Sequence, residues 1–312
     1  MNLKIGTRGS ALALAQANHV KELLERARPG AVVELVVIKT SGDDFSAGRT
    51  EAAEETAALK GLFVKEIEEA LLEKRVDLAV HSAKDMETSL PDGLEIGAVL
   101  KREDPRDAVV LRDSGSLAAL PPGSRVGVSS LRRQSQLQRI RRDLELVPVR
   151  GNVDTRLKKL DAGECGALIL AAAGLKRLGF AERIGEFLDP ARFLPAPGQG
   201  ALAVEIRAAR DEVAEQVRAL EDPGSRQEVE AERALLKALG GNCRVPVGAL
   251  ARVQDGNKLS MEGIVLSPDG LKAIRQSVAG PAKAAERLGK ELASHLRAAG
   301  ADRLLYGTWK KT

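Results

Sequence analysis

Aromatic side chains are nearly missing from this sequence: five Phe, one Tyr and one Trp make up 2% of 312 residues. A protein that binds single-stranded nucleic acid by stacking bases needs more of them. The 48 basic residues are almost balanced by 44 acidic ones, for a net charge of +4, so a general polyanion-binding surface is not expected either. Cysteine is equally scarce. Cys165 and Cys243 cannot build a disulfide framework, no paired spacing suggests zinc, and three scattered histidines add no metal motif. No apolar run reaches the roughly 20 residues a membrane helix needs. The first residues, Leu3-Lys4-Ile5-Gly6, read as a strand and not as the apolar core of a signal peptide. These absences predict a reduced, cytoplasmic, soluble protein with no metal, no membrane partner and no nucleic-acid partner. What remains is an ordinary apolar fraction, 44%, in a chain long enough for two or three domains.

The most informative stretch runs from Val126 to Arg156. It reads Val126-Gly127-Val128-Ser129-Ser130-Leu131-Arg132-Arg133, then a helical run, then Val149-Arg150-Gly151-Asn152-Val153-Asp154-Thr155-Arg156. Ser129 and Ser130 are N-cap residue types, and Leu137, Ile140 and Leu144 follow at helical spacing. Arg132 and Arg133 therefore fall in a first helical turn, where the macrodipole is already positive. Asn152 and Arg156 repeat the pattern. Cations set against the dipole imply a negative third party, and helix N–H groups, hydroxyls and guanidinium forks together make an anion site. Arg139, Arg141 and Arg142 read as a solvated face.

Elsewhere the pattern is strand and helix in alternation. A strand over 3–5 is followed by the loop Thr7-Arg8-Gly9-Ser10 and a helix over 11–27. A continuous apolar strand over 32–38, of the kind buried in parallel sheets, comes next. Residues 42–58 are polar and aperiodic, a loop that Lys60-Gly61 closes before a helix over 62–74. A buried strand over 76–80 delivers His81-Ser82-Ala83-Lys84-Asp85 at its carboxyl end, where open α/β sheets bind ligands. Further strands are expected over 94–100, 108–111, 167–170 and 201–206, with short helices over 116–120 and 175–178. Lys101 to Arg106 and Pro195 to Gly200 read as crossovers between domains. From Asp222 the pattern becomes one helix over 227–239, three strands over 247–253, 259–266 and 271–278 joined by hairpin turns, and a helix over 282–298. Before the first of those strands lies Gly240-Gly241-Asn242-Cys243-Arg244-Val245-Pro246, where a cation beside a thiol favours the reactive thiolate.

Eight motifs in order resemble the porphobilinogen deaminase (hydroxymethylbilane synthase) family over essentially the whole chain. They are Thr7-Arg8-Gly9-Ser10-Ala11-Leu12-Ala13-Leu14, Lys60-Gly61-Leu62-Phe63-Val64-Lys65-Glu66, His81-Ser82-Ala83-Lys84-Asp85 and Arg102-Glu103-Asp104-Pro105-Arg106-Asp107-Ala108. Then come Ser129-Ser130-Leu131-Arg132-Arg133, Arg150-Gly151-Asn152, Pro197-Gly198-Gln199-Gly200-Ala201 and Cys243-Arg244-Val245-Pro246. Val128, Met86-Glu87, Asn242 and Arg244 depart from the commoner family pattern, and none of them removes a named functional group.

The resemblance implies an α/β fold with two periplasmic-binding-protein-like domains and a smaller C-terminal α+β domain with a three-stranded antiparallel sheet. Domain 1 would be 1–100 with 200–220, domain 2 would be 101–199, and domain 3 would be 221–312. It implies a transferase of tetrapyrrole biosynthesis that joins four porphobilinogen molecules head to tail, with loss of ammonia, to give 1-hydroxymethylbilane. The product would grow on a dipyrromethane cofactor held by a thioether to Cys243. Asp85 would be the catalytic carboxylate. Lys84, Ser82, Ser129, Ser130, Arg132, Arg133, Arg150, Gly151 and Asn152 match cofactor-contacting positions. Arg8, Ser10, Arg150, Arg156, Arg177 and Gln199 match substrate-holding ones, and Lys60 and Phe63 would belong to a lid. The family also suggests a cytoplasmic monomer. The alternative from another class is a two-lobed binding or sensor protein for a small carboxylate, which would have no use for Asp85 or Cys243.

Overall fold

A computed structural model describes residues 2–40, 64–113, 115–209, 211–240, 246–255 and 257–306. It divides into two compact units, 1–103 with 200–226, and 104–199 with 227–312.

The first unit is built on one five-stranded sheet. Its strands are β1 (Asn2–Thr7), β2 (Val32–Val37), β3 (Leu78–Ser82), β4 (Leu94–Val99) and, returning late in the chain, β10 (Leu202–Arg207). The spatial order is β2-β1-β3-β10-β4. β1 runs parallel to β2 and β3, whereas β10 is antiparallel to β3 and β4. Helix α1 (Ala11–Ala27) starts where the sequence predicts, because the Ser10 hydroxyl accepts from the Ala13 N–H. It buries Ala17, Val20 and Leu24 against Leu3, Ile5 and Val204. Helix α2 (Lys65–Leu72) covers Val76 and Ala79 with Ile67, Ala70 and Leu71.

The second unit holds two sheets. The larger comprises β5 (Asp107–Leu111), β6 (Arg125–Gly127), β7 (Glu145–Val147), β8 (Ala167–Ala171) and β9 (Glu186–Phe187), in the order β7-β6-β8-β5-β9. Here too one strand, β5, is antiparallel to both its neighbours, β8 and β9, while β6 is parallel to β7 and β8. Relabelled by position, both sheets follow one scheme, 2-1-3-n-4, with strand n entering from a crossover. The helices of this sheet are α3 (Leu131–Ile140), α4 (Val153–Asp161) and α5 (Ala172–Arg177). Helix α6 (Glu212–Arg218) belongs to the first unit, and α7 (Pro223–Ala238) leads towards the smaller sheet. That sheet, β11 (Val247–Gln254), β12 (Lys258–Leu266) and β13 (Ala273–Pro281), is antiparallel throughout. Leu235 of α7 joins Ala249, Met261 and Val265 in its core, together with Leu288, Leu292 and Leu296 of α8 (Ala285–Ala298). A last helix, α9 (Ala301–Tyr306), follows.

The direction of strand n matters for function. Because β5 is antiparallel, its first residue, Asp107, lies opposite Ala171 at the carboxyl end of β8. Because β10 is antiparallel, Leu202 lies opposite Ser82 at the carboxyl end of β3. Each crossover thus delivers its chain to the edge of a sheet where ligands are expected.

Four expectations need correction. β2 is not buried on both faces: it is the outermost strand, and Val32 and Val37 are 60% and 57% exposed. The strand expected over 76–80 begins at Leu78, since the Val76 N–H closes the end of α2 on the Ala70 carbonyl. Residues 116–120 form a turn and no helix, because the Arg141 guanidinium takes the Leu117 and Leu120 carbonyls. Arg141 is accordingly half-buried and ends α3, so Leu144 reaches the core from beyond the helix. Sequence reading also missed α6, which Asp211 caps by accepting from the Ala214 N–H, and the two-residue strand β9.

Candidate active site

In the second unit, β6, β7 and β8 are parallel, so the segments after them emerge at one edge. These segments carry Ser129 and Ser130, then Arg150, Gly151 and Asn152, then α5 with Arg177 in its last turn. Ser130 is the N-cap of α3 and Asn152 the N-cap of α4, yet neither side chain bonds its own helix. Ser129 and Arg150 are exposed. Gly151 has φ +114, and a Cβ there would stand 2.8 Å from the Thr155 methyl, so glycine is required at this bend.

The arginines divide into two kinds. Arg132 and Arg133 are 6% and 7% exposed and turn inward to Asp107. Arg132 Nη1 donates to Asp107 Oδ2 and to the Leu194 carbonyl, both at 2.7 Å. Arg133 Nε and Nη2 donate to Asp107 Oδ1 at 3.0 and 2.7 Å. Burial alone would push the Asp107 carboxyl up, but the two guanidinium charges and their hydrogen bonds outweigh it and hold it well below the ordinary carboxylate range. Arg156 is different. Its Nε donates to the Gly151 carbonyl at 2.7 Å, and no carboxylate among the described residues pairs with it. Burial, then the nearby charge of Arg133, pulls it down to about 10. A half-buried cation with no carboxylate partner among the described residues stands beside two caps that do not bond their own helices, so the arrangement offers donors to an anion.

Gln199 is 1% exposed. Its amide Nε2 donates to the Pro105 carbonyl at 2.7 Å and to Asp107 Oδ1 at 3.1 Å.

In the first unit, β1 and β3 are parallel neighbours, and Arg8 and Ser10 follow one while Lys84 and Asp85 follow the other. Ala83 to Asp85 form a single 3-10 turn, held by the Ala83 N–H on the Ala201 carbonyl. Asp85 is exposed, Lys84, Arg8 and Ser82 are half-buried, and the Ser82 hydroxyl accepts from Gln16 Nε2 at 2.9 Å. Behind the turn lies a buried acidic group. His81 Nε2 meets Glu205 Oε2 at 2.9 Å, while Glu205 Oε1 has no partner among the described residues. Glu68 of α2 is raised to about 7, first by burial and then by the charge of Glu205.

Cys243, Lys60 and Phe63, with the 42–58 loop, Asn242 and Arg244, lie outside the described residues. Sequence reading gave no role to Asp107, which it quoted only within a motif, or to Glu205 and Glu68. The first two each had a signal: a carboxylate starting or interrupting an otherwise apolar strand (Asp107 before 108–111, Glu205 within 201–206).

Comparison with known proteins gives consistent matches. A family model described as porphobilinogen deaminase, dipyromethane cofactor binding domain, matches residues 3–215, and one for the C-terminal domain of the same family matches 226–298. The chain is 50% identical to a porphobilinogen deaminase of Syntrophobacter fumaroxidans over 97% of this chain and 96% of that one. It is 48% identical to one of Thermus thermophilus over 96% and 97%. Among solved structures it is similar to the methionine-binding protein MetQ, at a TM-score of 0.42 and 15% identity over 77% of this chain and 96% of that one.

Proposed function

The chain belongs to the porphobilinogen deaminase family, and from that premise we propose which of its residues carry the reaction. The activity is that of the family: porphobilinogen units are joined with loss of ammonia, on a dipyrromethane cofactor, to give hydroxymethylbilane. When bound, the cofactor supplies the pyrrole carbon from which the product chain grows.

The observation that carries the assignment of roles is the uncompensated Arg156 between the starts of α3 and α4. Porphobilinogen and dipyrromethane bear acetate and propionate arms, and the guanidinium, hydroxyl and helix N–H groups here can donate to them, beside one carboxylate, Asp154, in the first turn of α4. Ser129, Ser130, Arg150, Asn152 and the N–H groups of α3 and α4 are read as cofactor contacts, with Gly151 giving the bend its close approach. Arg132 and Arg133 are read as cofactor contacts too, held from the other side by Asp107. Arg156 and Arg177 in this unit, and Arg8 and Ser10 in the other, are read as substrate contacts. Asp85 is read as the catalytic carboxylate: exposed on a short turn, it can stabilise a pyrrole nitrogen that becomes positive as ammonia leaves, and can take up the proton lost on coupling. Lys84 and Ser82 would flank it. Cys243 is read as the attachment point through a thioether, and Lys60 and Phe63 as lid residues. The division into 1–100 with 200–220, 101–199 and 221–312 is retained, supported by the separate apolar cluster of the C-terminal sheet. A cytoplasmic monomer is the reading we adopt; among the described residues no helix is long and apolar enough to cross a membrane. The binding-protein alternative rests on distant fold likeness alone.

The test is an intact mass of the denatured protein before and after incubation with porphobilinogen. The expected result is a covalent excess of one dipyrromethane that grows in pyrrole steps, absent in Cys243→Ser and present but not growing in Asp85→Ala. An excess retained in Cys243→Ser would move the attachment to Cys165. Growth undiminished in Asp85→Ala would remove the catalytic role from Asp85.

A further inference from the structure

Asp107 has no role in the reading above, yet the polar groups of the second unit converge on it. It is fully buried at the first position of β5. Four hydrogen bonds reach its carboxylate, one from Arg132, two from Arg133 and one from Gln199. Two guanidinium charges against one carboxylate leave a net positive charge at the start of α3. Without Asp107 the two arginines, adjacent in sequence and placed against the dipole of their own helix, would repel each other and the helix terminus. The same carboxylate also gathers the chain on both sides. Pro105, two residues before it, gives its carbonyl to Gln199, and the Gln199 backbone sits in the 196–199 turn of the second crossover. The neighbouring Gly198 N–H is in turn held by the buried Glu232, whose other oxygen accepts from Ala251 of β11. Behind Arg132, Gln136 exchanges two hydrogen bonds with the backbone of Leu194.

We propose that Asp107 is a positioning residue for the carboxylate site at the start of α3: it sets the direction of the Arg132 and Arg133 forks and, through Gln199, registers them against the 104–106 and 196–199 segments. The proposal rests on the family reading, because that reading supplies the carboxylates the site would hold. Exchanging a whole buried Arg–Asp–Arg group for apolar residues can cost little stability, but removing its carboxylate alone leaves buried charge unpaired. The test therefore reads folding and binding separately.

The experiment compares the wild-type holoenzyme with Asp107→Asn and Gln199→Met. Three quantities are read: melting temperature, the fraction carrying a covalent dipyrromethane by intact mass, and kcat and KM for porphobilinogen. Asp107→Asn keeps the shape and removes the charge. It is expected to raise KM at least tenfold, with a smaller change in kcat, and to leave part of the protein without cofactor below its melting temperature. A folded Asp107→Asn with wild-type loading and KM overturns the proposal. If Asp107→Asn does not accumulate as folded protein, Gln199→Met decides. It spares the ion pairs and removes the side-chain amide that joins Asp107 to the Pro105 carbonyl, so a KM raised threefold or more supports the proposal and an unchanged KM overturns it. A wild-type protein that neither loads cofactor nor consumes porphobilinogen overturns the family reading and this proposal with it. Wild-type activity with unaltered variants overturns this proposal alone.

Discussion

Arg132 and Arg156 have the same side chain and both lie in the first turn of a helix, but they carry their charge into different surroundings. Arg132 ends on Asp107, whereas Arg156 ends on a backbone carbonyl with its charge unanswered among the described residues. Arg156 is therefore the arginine whose removal should act most directly on ligand. Arg156→Leu is expected to lose about 1.5–3 kcal/mol for one charge-assisted hydrogen bond, or roughly a 10- to 150-fold rise in KM, with little change in melting temperature. Steady-state kinetics beside a thermal melt checks this, and an unchanged KM would return Arg156 to a packing role. That the arginines form a cationic cluster was legible in the sequence from the helix-start pattern. Which of them is already neutralised was not, because Asp107 is 25 residues away from Arg132 along the chain.

At the level of elements, helix α3 has a neighbour that its own sequence does not name. The turn between β12 and β13 sits on it: the Ser135 hydroxyl donates to the Pro268 carbonyl, and Gly270 has φ +70 with a Cβ position only 2.3 Å from the Ser135 carbonyl. The sequence reading took Pro268-Asp269-Gly270 as a hairpin turn and nothing more. Gly270→Ala would combine left-handed strain with a backbone clash. It is expected to destabilise the protein by well over the roughly 1 kcal/mol that a misplaced alanine costs through conformation alone. Gly123→Ala is the control, since Gly123 has φ +80 but open space around it. Urea midpoints for the two variants separate strain from docking; equal losses would mean that the contact with α3 contributes nothing. Element limits at α1 were legible because Ser10 is a local cap. The limits of α3 and the shape of 116–120 were not, because Arg141 settles both by reaching carbonyls more than 20 residues away.

For the molecule as a whole, stability should carry a pH signature from Glu68. Its carboxyl is raised to about 7 in the folded chain, above its unfolded value, so the native state binds the extra proton. That contribution is fully present below the unfolded value of about 4.5 and is lost as pH rises through about 7. Glu68→Gln keeps the neutral form at every pH. It should gain melting temperature relative to wild type at pH 8 and lose that advantage at pH 4.5. A difference independent of pH would mean that Glu68 titrates normally. The cause is an arrangement of the first unit: α2 lays Glu68 over a sheet face that already contains the His81–Glu205 pair.

The alternation of strands and helices, the change of pattern after Asp222, the two crossovers and the family motifs are properties of neighbours along the chain. Periodicity, caps and turn residues act over a few positions, so the sequence by itself determined the α/β class, the antiparallel C-terminal sheet and the family. The tertiary structure alone decided that β2 is an edge, that β5 and β10 run antiparallel and so bring both crossovers to the carboxyl ends of their sheets, and that Asp107 lies between Arg132 and Arg133. Each of these depends on which distant segments meet, and there burial makes an unpaired charge too costly to leave. The pattern along the chain could show that a carboxylate began an apolar strand, but only the packed structure could supply its partners.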